Sequence, residues 1–352
     1  MINQIKKVGV IGAGTMGAGI AGQVANAGID VWLLDLPSDG EDANILSGKG
    51  LARLKDPDMP GLMSKEAENL INLGNTRDHF HELAGCDWIA EAVVERLDIK
   101  QRLYKKLNDS CKKSTIITSN TSTIPIKLLT EGMPIEFCER FAITHFFNPV
   151  RFMRLLELVR GEFTRDDVIS TLHEFSEIKL GKGVVPCSDT PGFLANRVGV
   201  FAIQCALHNS FEFGLSPTEA DAFFGRPLGL PKTGVFGLYD LIGIDLMADV
   251  VRSLVSILPE DDAFHKYSAP IDFMTKMIVN GQTGNKNNKG FYMQDGDEKK
   301  VINLSDGNYV PHERLKTPLL EIAEKNGVSE ILNDNGPYGL YIWRVLSETL
   351  CY

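Results

Sequence analysis

Over the first half of the chain, short apolar runs alternate with amphipathic stretches. Val8-Gly9-Val10-Ile11 suits a buried parallel strand. After it, Ile20, Ala21, Val24 and Ala25 share one helical face, and Val31 to Leu34 forms a second strand ending at Asp35. Residues 36–75 read as helical and charged. Trp88 to Glu95, Thr115 to Ser119, Phe141 to Thr144 and Leu155 to Val159 are further predicted strands, with a helix over Ile99 to Leu107. From about residue 191 the spacing turns helical, in Phe193 to Phe213, Asp221 to Phe224, Leu246 to Leu258 and Leu340 to Leu350. The pattern predicts an α/β doubly wound sheet followed by a mostly helical C-terminal domain.

Between the first two strands stands Gly12-Ala13-Gly14-Thr15-Met16-Gly17, a GxGxxG turn in a βαβ unit of Rossmann type. Gly12 allows the tight turn, and Gly14 lets backbone N–H groups approach a pyrophosphate at the helix N-terminus. Gly17 allows close helix–strand packing. Asp35 falls where a carboxylate bonds ribose hydroxyls and repels a 2′-phosphate, which favours NAD over NADP. A glycine-rich turn in a non-binding α/β domain is the plainer alternative.

Length and charge narrow the class. The 352 residues allow about two domains. With 36 basic and 46 acidic residues the formal charge is −10, so nucleic acid is a poor expected partner. The 22 residues between Lys7 and Asp30 carry no charge, but seven glycines argue against a signal sequence. No stretch reads as a membrane span. Six scattered cysteines without CxxC spacing fit packing in a reducing compartment and give no metal site. The expected location is the cytoplasm.

Alcohol oxidation by a nicotinamide needs a base for the hydroxyl proton, and histidine needs the least pKa adjustment. Of seven histidines, only His145 closes a central apolar strand and precedes a Pro-stopped loop. Glu157 lies in the next strand, where a carboxylate is costly unless paired. If the two strands are neighbours, Glu157 can hold the imidazole. A structural histidine is the alternative. Ser122 follows a strand and can equally cap a helix. Thr190-Pro191 reads as a helix start, with Asn196 inside the helix. Lys100 and Lys286 are by default solvated.

Together these residues resemble the L-3-hydroxyacyl-CoA dehydrogenase family of fatty-acid β-oxidation. The resemblance covers about residues 5–295 and rests on GAGTMGAGIA (12–21), EAVVERLDIK (91–100), SNTSTIPI (119–126), THFFNPV (144–150), LLELV (155–159) and DTPGFLANR (189–197). It is closest to long bacterial forms joined to an enoyl-CoA hydratase. The resemblance implies His145 as general base, Glu157 as its support, and Ser122 and Asn196 at the substrate oxygen or thioester. It implies NAD contacts at Gly12, Gly14, Thr15, Met16, Gly17, Asp35, Glu95, Lys100, Ser122, Asn148 and Lys286. Arg53 and Lys55 are candidates for CoA phosphates. Phe201 stands where the family often has Pro or a small residue, which could alter the acyl pocket.

The implied organisation is an NAD-binding domain over 1–189, a helical domain over 190–300, and a linker with the start of a second helical domain over 301–352. The implied substrate is an acyl-CoA. Assembly is expected as a homodimer or by pairing with a second helical domain within a longer multifunctional chain. A dehydrogenase of a small free hydroxy acid, and a truncated, non-catalytic NAD-binding fragment, are the competing readings.

Overall fold

The computed structural model describes residues 5–352, the side chain of Glu324 excepted. The chain divides into two compact units, one ending at Leu194 and one spanning Ala195–Tyr352.

The first unit is built on an eight-stranded sheet of order β3-β2-β1-β4-β5-β6-β7-β8. The strands are β1 Lys7–Ile11, β2 Asp30–Asp35, β3 Ile71–Asn75, β4 Trp88–Glu91, β5 Ile116–Ser119, β6 Phe141–Phe146, β7 Leu155–Arg160 and β8 Gly183–Cys187. All neighbours pair in parallel except β6 and β7. Alternate residues pack on opposite faces, as a pleated strand requires. Val10, Leu33 and Ala90 join one apolar cluster, while Ile11, Leu34 and Ile89 join another. Helix α1 (Thr15–Asn26) adds Ile20, Ala21 and Val24 to the first cluster. Helix α3 (Leu97–Ser110) adds Tyr104 and Leu107 to the second, and α2 (Ile45–Leu54) lies between them in sequence.

Three expectations need correction here. The tract 36–75 is not all helical, because Ile71–Asn75 is the outer strand β3. Its two asparagines and glycine are poor strand formers, so pairing with β2 rather than propensity holds it. The fourth strand stops at Glu91, which leaves Glu95 in the loop before α3. No helix starts at Thr190. Pro191 and Gly192 instead form a turn closed by the Phe193 N–H donating to the Thr190 carbonyl at 3.0 Å. Gly192 and Phe193 both have positive φ, 73° and 49°. Proline then glycine at the turn centre favours this shape over helix.

The second unit is mostly helical, with long helices at Ala195–Glu212, Ile244–Ile257 and Pro337–Cys351. It also holds a small antiparallel sheet, β9 Tyr292–Asp295, β10 Glu298–Ile302 and β11 Tyr309–Pro311, that the lysine-rich sequence did not suggest. Residues 301–352 are not set apart as a linker. Ile302, Leu320, Ile331, Tyr341 and Val345 share one core with Phe201, Phe236 and Met247.

Among the described residues no helix is long and apolar enough to cross a membrane. The same residues contain no group of three or more His, Cys, Asp or Glu placed to hold a metal ion.

Candidate active site

The glycine turn fits a dinucleotide. Gly12 has φ +98°, and a Cβ there would lie 2.4 Å from the Ala92 carbonyl oxygen. A Cβ on Gly17 would lie 1.7 Å from the Gly12 carbonyl oxygen. These two glycines are fixed by packing. Gly14 is different, since nothing lies within 4 Å of its would-be Cβ. Its bareness leaves open space before α1, whose N-terminus has no side-chain cap. Thr15 is exposed and Met16 half-buried beside that opening. Uncapped N–H groups at a helix start attract a phosphate. Asp35, at the end of β2, accepts the N–H groups of Ala13 at 2.5 Å and Leu36 at 2.7 Å.

The next strand end carries a buried polar hub that sequence reasoning missed. Glu91 is fully buried and accepts hydrogen bonds from Lys100 Nζ (2.7 Å), Tyr104 Oη (2.5 Å), Ser119 Oγ (2.7 Å) and the Val93 N–H (2.8 Å). Lys100 also pairs with Glu95 at 3.2 Å, and its side chain is only 1% exposed. The default of a solvated lysine is therefore overturned for Lys100. Glu95 further accepts from Thr121 and, at 3.0 Å, from Thr123. Burial alone would raise the Glu95 carboxyl. The Thr121 hydrogen bond and the Lys100 charge outweigh it and hold the group below the usual range.

Ser122 sits half-buried in the loop after β5. It caps no helix, because Pro125 occupies the cap position of the short helix Ile126–Leu129. Asn120 in the same loop accepts the Phe146 N–H at 2.9 Å, which ties the loop to the end of β6.

His145 lies within β6 rather than after it, one residue from its end. The antiparallel register sets His145 opposite Glu157 of β7. The His145 Nδ1 and Glu157 Oε2 atoms are 2.7 Å apart, with His145 nearly buried and Glu157 fully so. The second Glu157 oxygen accepts the Leu194 N–H at 2.9 Å. Phe147 and Phe193 pack against the imidazole at ring-centroid distances of 4.6 and 5.7 Å. Cys187 lies 3.8 Å from Glu157, but burial and that carboxylate push its thiol up to about 11. It is a protonated neighbour, not a nucleophile. Asn148 is exposed in the loop after β6.

The first unit thus has the glycine turn, Asp35 at the end of β2, Glu95 in the loop after β4 paired with Lys100 of α3, Ser122 after β5, and His145 near the end of β6 facing Glu157 of β7. Asn196 and Lys286 belong to the second unit. Asn196 stands in the first turn of Ala195–Glu212 and not in the helix interior. The exposed Lys286 is bonded to Asp245 at 2.7 and 2.6 Å. Phe201 is buried and stacked on Tyr352, with ring centroids 4.1 Å apart. Of the two CoA-phosphate candidates, Lys55 is paired with the Glu68 carboxylate, whereas Arg53 is exposed and makes one backbone hydrogen bond, from Nη1 to the Ala13 carbonyl at 2.9 Å.

Comparison with known proteins decides the family. The model described as 3-hydroxyacyl-CoA dehydrogenase, NAD binding domain, matches residues 7–190, and that of the C-terminal domain matches residues 192–294. The chain belongs to the 3-hydroxyacyl-CoA dehydrogenase family. This is a family of oxidoreductases, and NAD is the cofactor of the matched domain.

Similar proteins include a putative fatty acid oxidation complex trifunctional enzyme of Rickettsia prowazekii, 39% identical over all of this chain. The chain spans about half the length of that relative, 49%. A probable 3-hydroxyacyl-CoA dehydrogenase of Deinococcus radiodurans is 40% identical over 84% of this chain and 85% of its own. Among solved structures, (S)-3-hydroxybutyryl-CoA dehydrogenase of Ralstonia eutropha is similar, with 30% identity and a TM-score of 0.66. The match covers 83% of this chain and 100% of that one.

Proposed function

We propose that the chain oxidises an L-3-hydroxyacyl-CoA at C3 to the 3-ketoacyl-CoA, with NAD, within fatty-acid β-oxidation. The observation that carries this reading is the His145–Glu157 pair at a strand end of the NAD-binding unit. Glu157 accepts a hydrogen bond from Nδ1–H, which fixes the tautomer and leaves the Nε2 lone pair as the base. His145 takes the 3-hydroxyl proton at Nε2, and the facing carboxylate stabilises the imidazolium that results. NAD, held by the glycine turn and the strand-end residues, would supply the hydride acceptor for C3. Ser122 and Asn196 are assigned to the substrate oxygen or the thioester region, Ser122 also lying along the cofactor. Asp35, Glu95, Lys100, Asn148 and Lys286 are assigned to the cofactor.

We further read the chain as the dehydrogenase part of a longer multifunctional protein, since the Rickettsia relative is named a trifunctional enzyme and is about twice as long. Its helical unit pairs with a second copy in a homodimer or with a second helical domain of the same chain.

The test is acetoacetyl-CoA-dependent oxidation of NADH, with NADPH in parallel. Turnover with NADH and little with NADPH is expected. Tight NADH binding without turnover would reject the reading, and free hydroxy acids would be tried next.

A further inference from the structure

Three residues meet at the middle of the glycine turn. The Ala13 N–H donates to Asp35, and the Ala13 carbonyl accepts from Arg53 of α2 at 2.9 Å. Helix α2 is pressed onto this turn, since a Cβ on Gly50 would lie 2.9 Å from the Ala13 carbonyl oxygen and 3.0 Å from its Cβ. Arg53 is exposed, and among the described residues no carboxylate pairs with it. One of its five donors is used by Ala13, and a guanidinium fork matches phosphate oxygens. The Rossmann motif does not supply this cation, because it comes from the helix after β2.

We infer that Arg53 reads the phosphate-bearing adenosine end of the dinucleotide, so that the choice between NAD and NADP is set by Asp35 and Arg53 in opposition. Asp35 repels a 2′-phosphate, and Arg53, bonded to the carbonyl of the same Ala13, attracts one. With both present the carboxylate dominates. With Asp35 removed, Arg53 becomes the counter-charge that admits NADP. This inference rests on the assignment of the turn to NAD and deepens it.

The experiment measures NADH and NADPH affinities by nicotinamide fluorescence on the whole chain. The proteins are the unaltered chain, Arg53→Ala, Arg53→Lys, Asp35→Ser and the double variant Asp35→Ser/Arg53→Ala. Arg53→Ala is expected to weaken NADPH binding about tenfold more than NADH binding, and Arg53→Lys to recover part of the loss. Asp35→Ser is expected to gain NADPH affinity, and the double variant to lose that gain. The proposal is overturned if Arg53→Ala shifts both affinities equally or neither. It is also overturned if the double variant keeps the gain. Should Asp35→Ser not fold, the Arg53 variants alone decide. An unaltered chain that binds neither nucleotide is a separate failure, of the cofactor assignment itself.

Discussion

His145 and Glu157 face each other across the one antiparallel pairing in the eight-stranded sheet, with Nδ1 and Oε2 2.7 Å apart. The pair sits in a nearly dry environment, where a hydrogen-bonded carboxylate has a strong hold on the imidazole. His145→Ala is expected to lower turnover by about 100-fold or more and to leave NADH affinity nearly unchanged. Steady-state kinetics together with a fluorescence titration check this. Near-normal turnover would remove His145 from the mechanism.

The glycines of the turn separate a packing role from a binding role. Gly17→Ala places a methyl group 1.7 Å from a carbonyl oxygen, so the backbone must move. A loss of more than about 2 kcal/mol in stability is expected. Gly14→Ala meets nothing within 4 Å and has φ −65°, so its stability should change by no more than about 1 kcal/mol. Its NADH affinity should nevertheless fall by about tenfold or more, because the methyl occupies the phosphate approach. Denaturant melts and NADH titrations of the two variants should therefore diverge. Parallel behaviour would contradict the assignment.

Lys100 and Glu91 form a buried pair whose partners depend on each other. Removing the ammonium alone leaves a carboxylate in the interior, and Lys100→Met is expected to cost about 3–5 kcal/mol. The double variant Lys100→Met/Glu91→Gln should recover a substantial part. Urea unfolding of the four proteins gives the coupling. Additive losses would show that the two groups do not depend on each other.

Glu95 predicts a response to acid. Its carboxyl is held below the usual range, so the folded state binds this proton less readily than the unfolded chain. The stability it contributes is present above the unfolded pKa and is lost as pH falls through the lower folded value. Melting temperatures measured from pH 6 down to pH 3.5 should fall more steeply for the unaltered chain than for Glu95→Gln. Equal slopes would mean that Thr121, Thr123 and Lys100 do not tune this group.

Much of the first unit is legible because its chemistry is local. Glycine spacing, two short apolar runs and one terminal acid are enough to write β1, α1 and β2. The His145–Glu157 pair is legible in part. Spacing names both residues, but only the antiparallel register puts them face to face, and a slip of one residue would set Leu156 or Leu158 opposite the imidazole. Glu91 escapes because the sequence EAVVE offers two acids in one apolar run. The outer one draws attention, while burial singles out the inner one. Strand β3 escapes because its residues have little strand preference of their own. The β9–β11 sheet escapes because Glu298, Lys299 and Lys300 look like a solvated loop when their partners are not in view.

The turn at 190–194 reaches the acid–base pair through the main chain. Leu194 holds Glu157 by a peptide N–H, which no ordinary side-chain exchange removes, and Phe193 lays its ring by His145 from a backbone angle that few residues adopt. Inherited or engineered changes at Pro191 or Gly192 would therefore act at a distance, by loosening a grip rather than by deleting a reactive group. Such a protein would bind dinucleotide and melt nearly as before, yet work slowly. A survey confined to residues that face the ligand would pass over its cause.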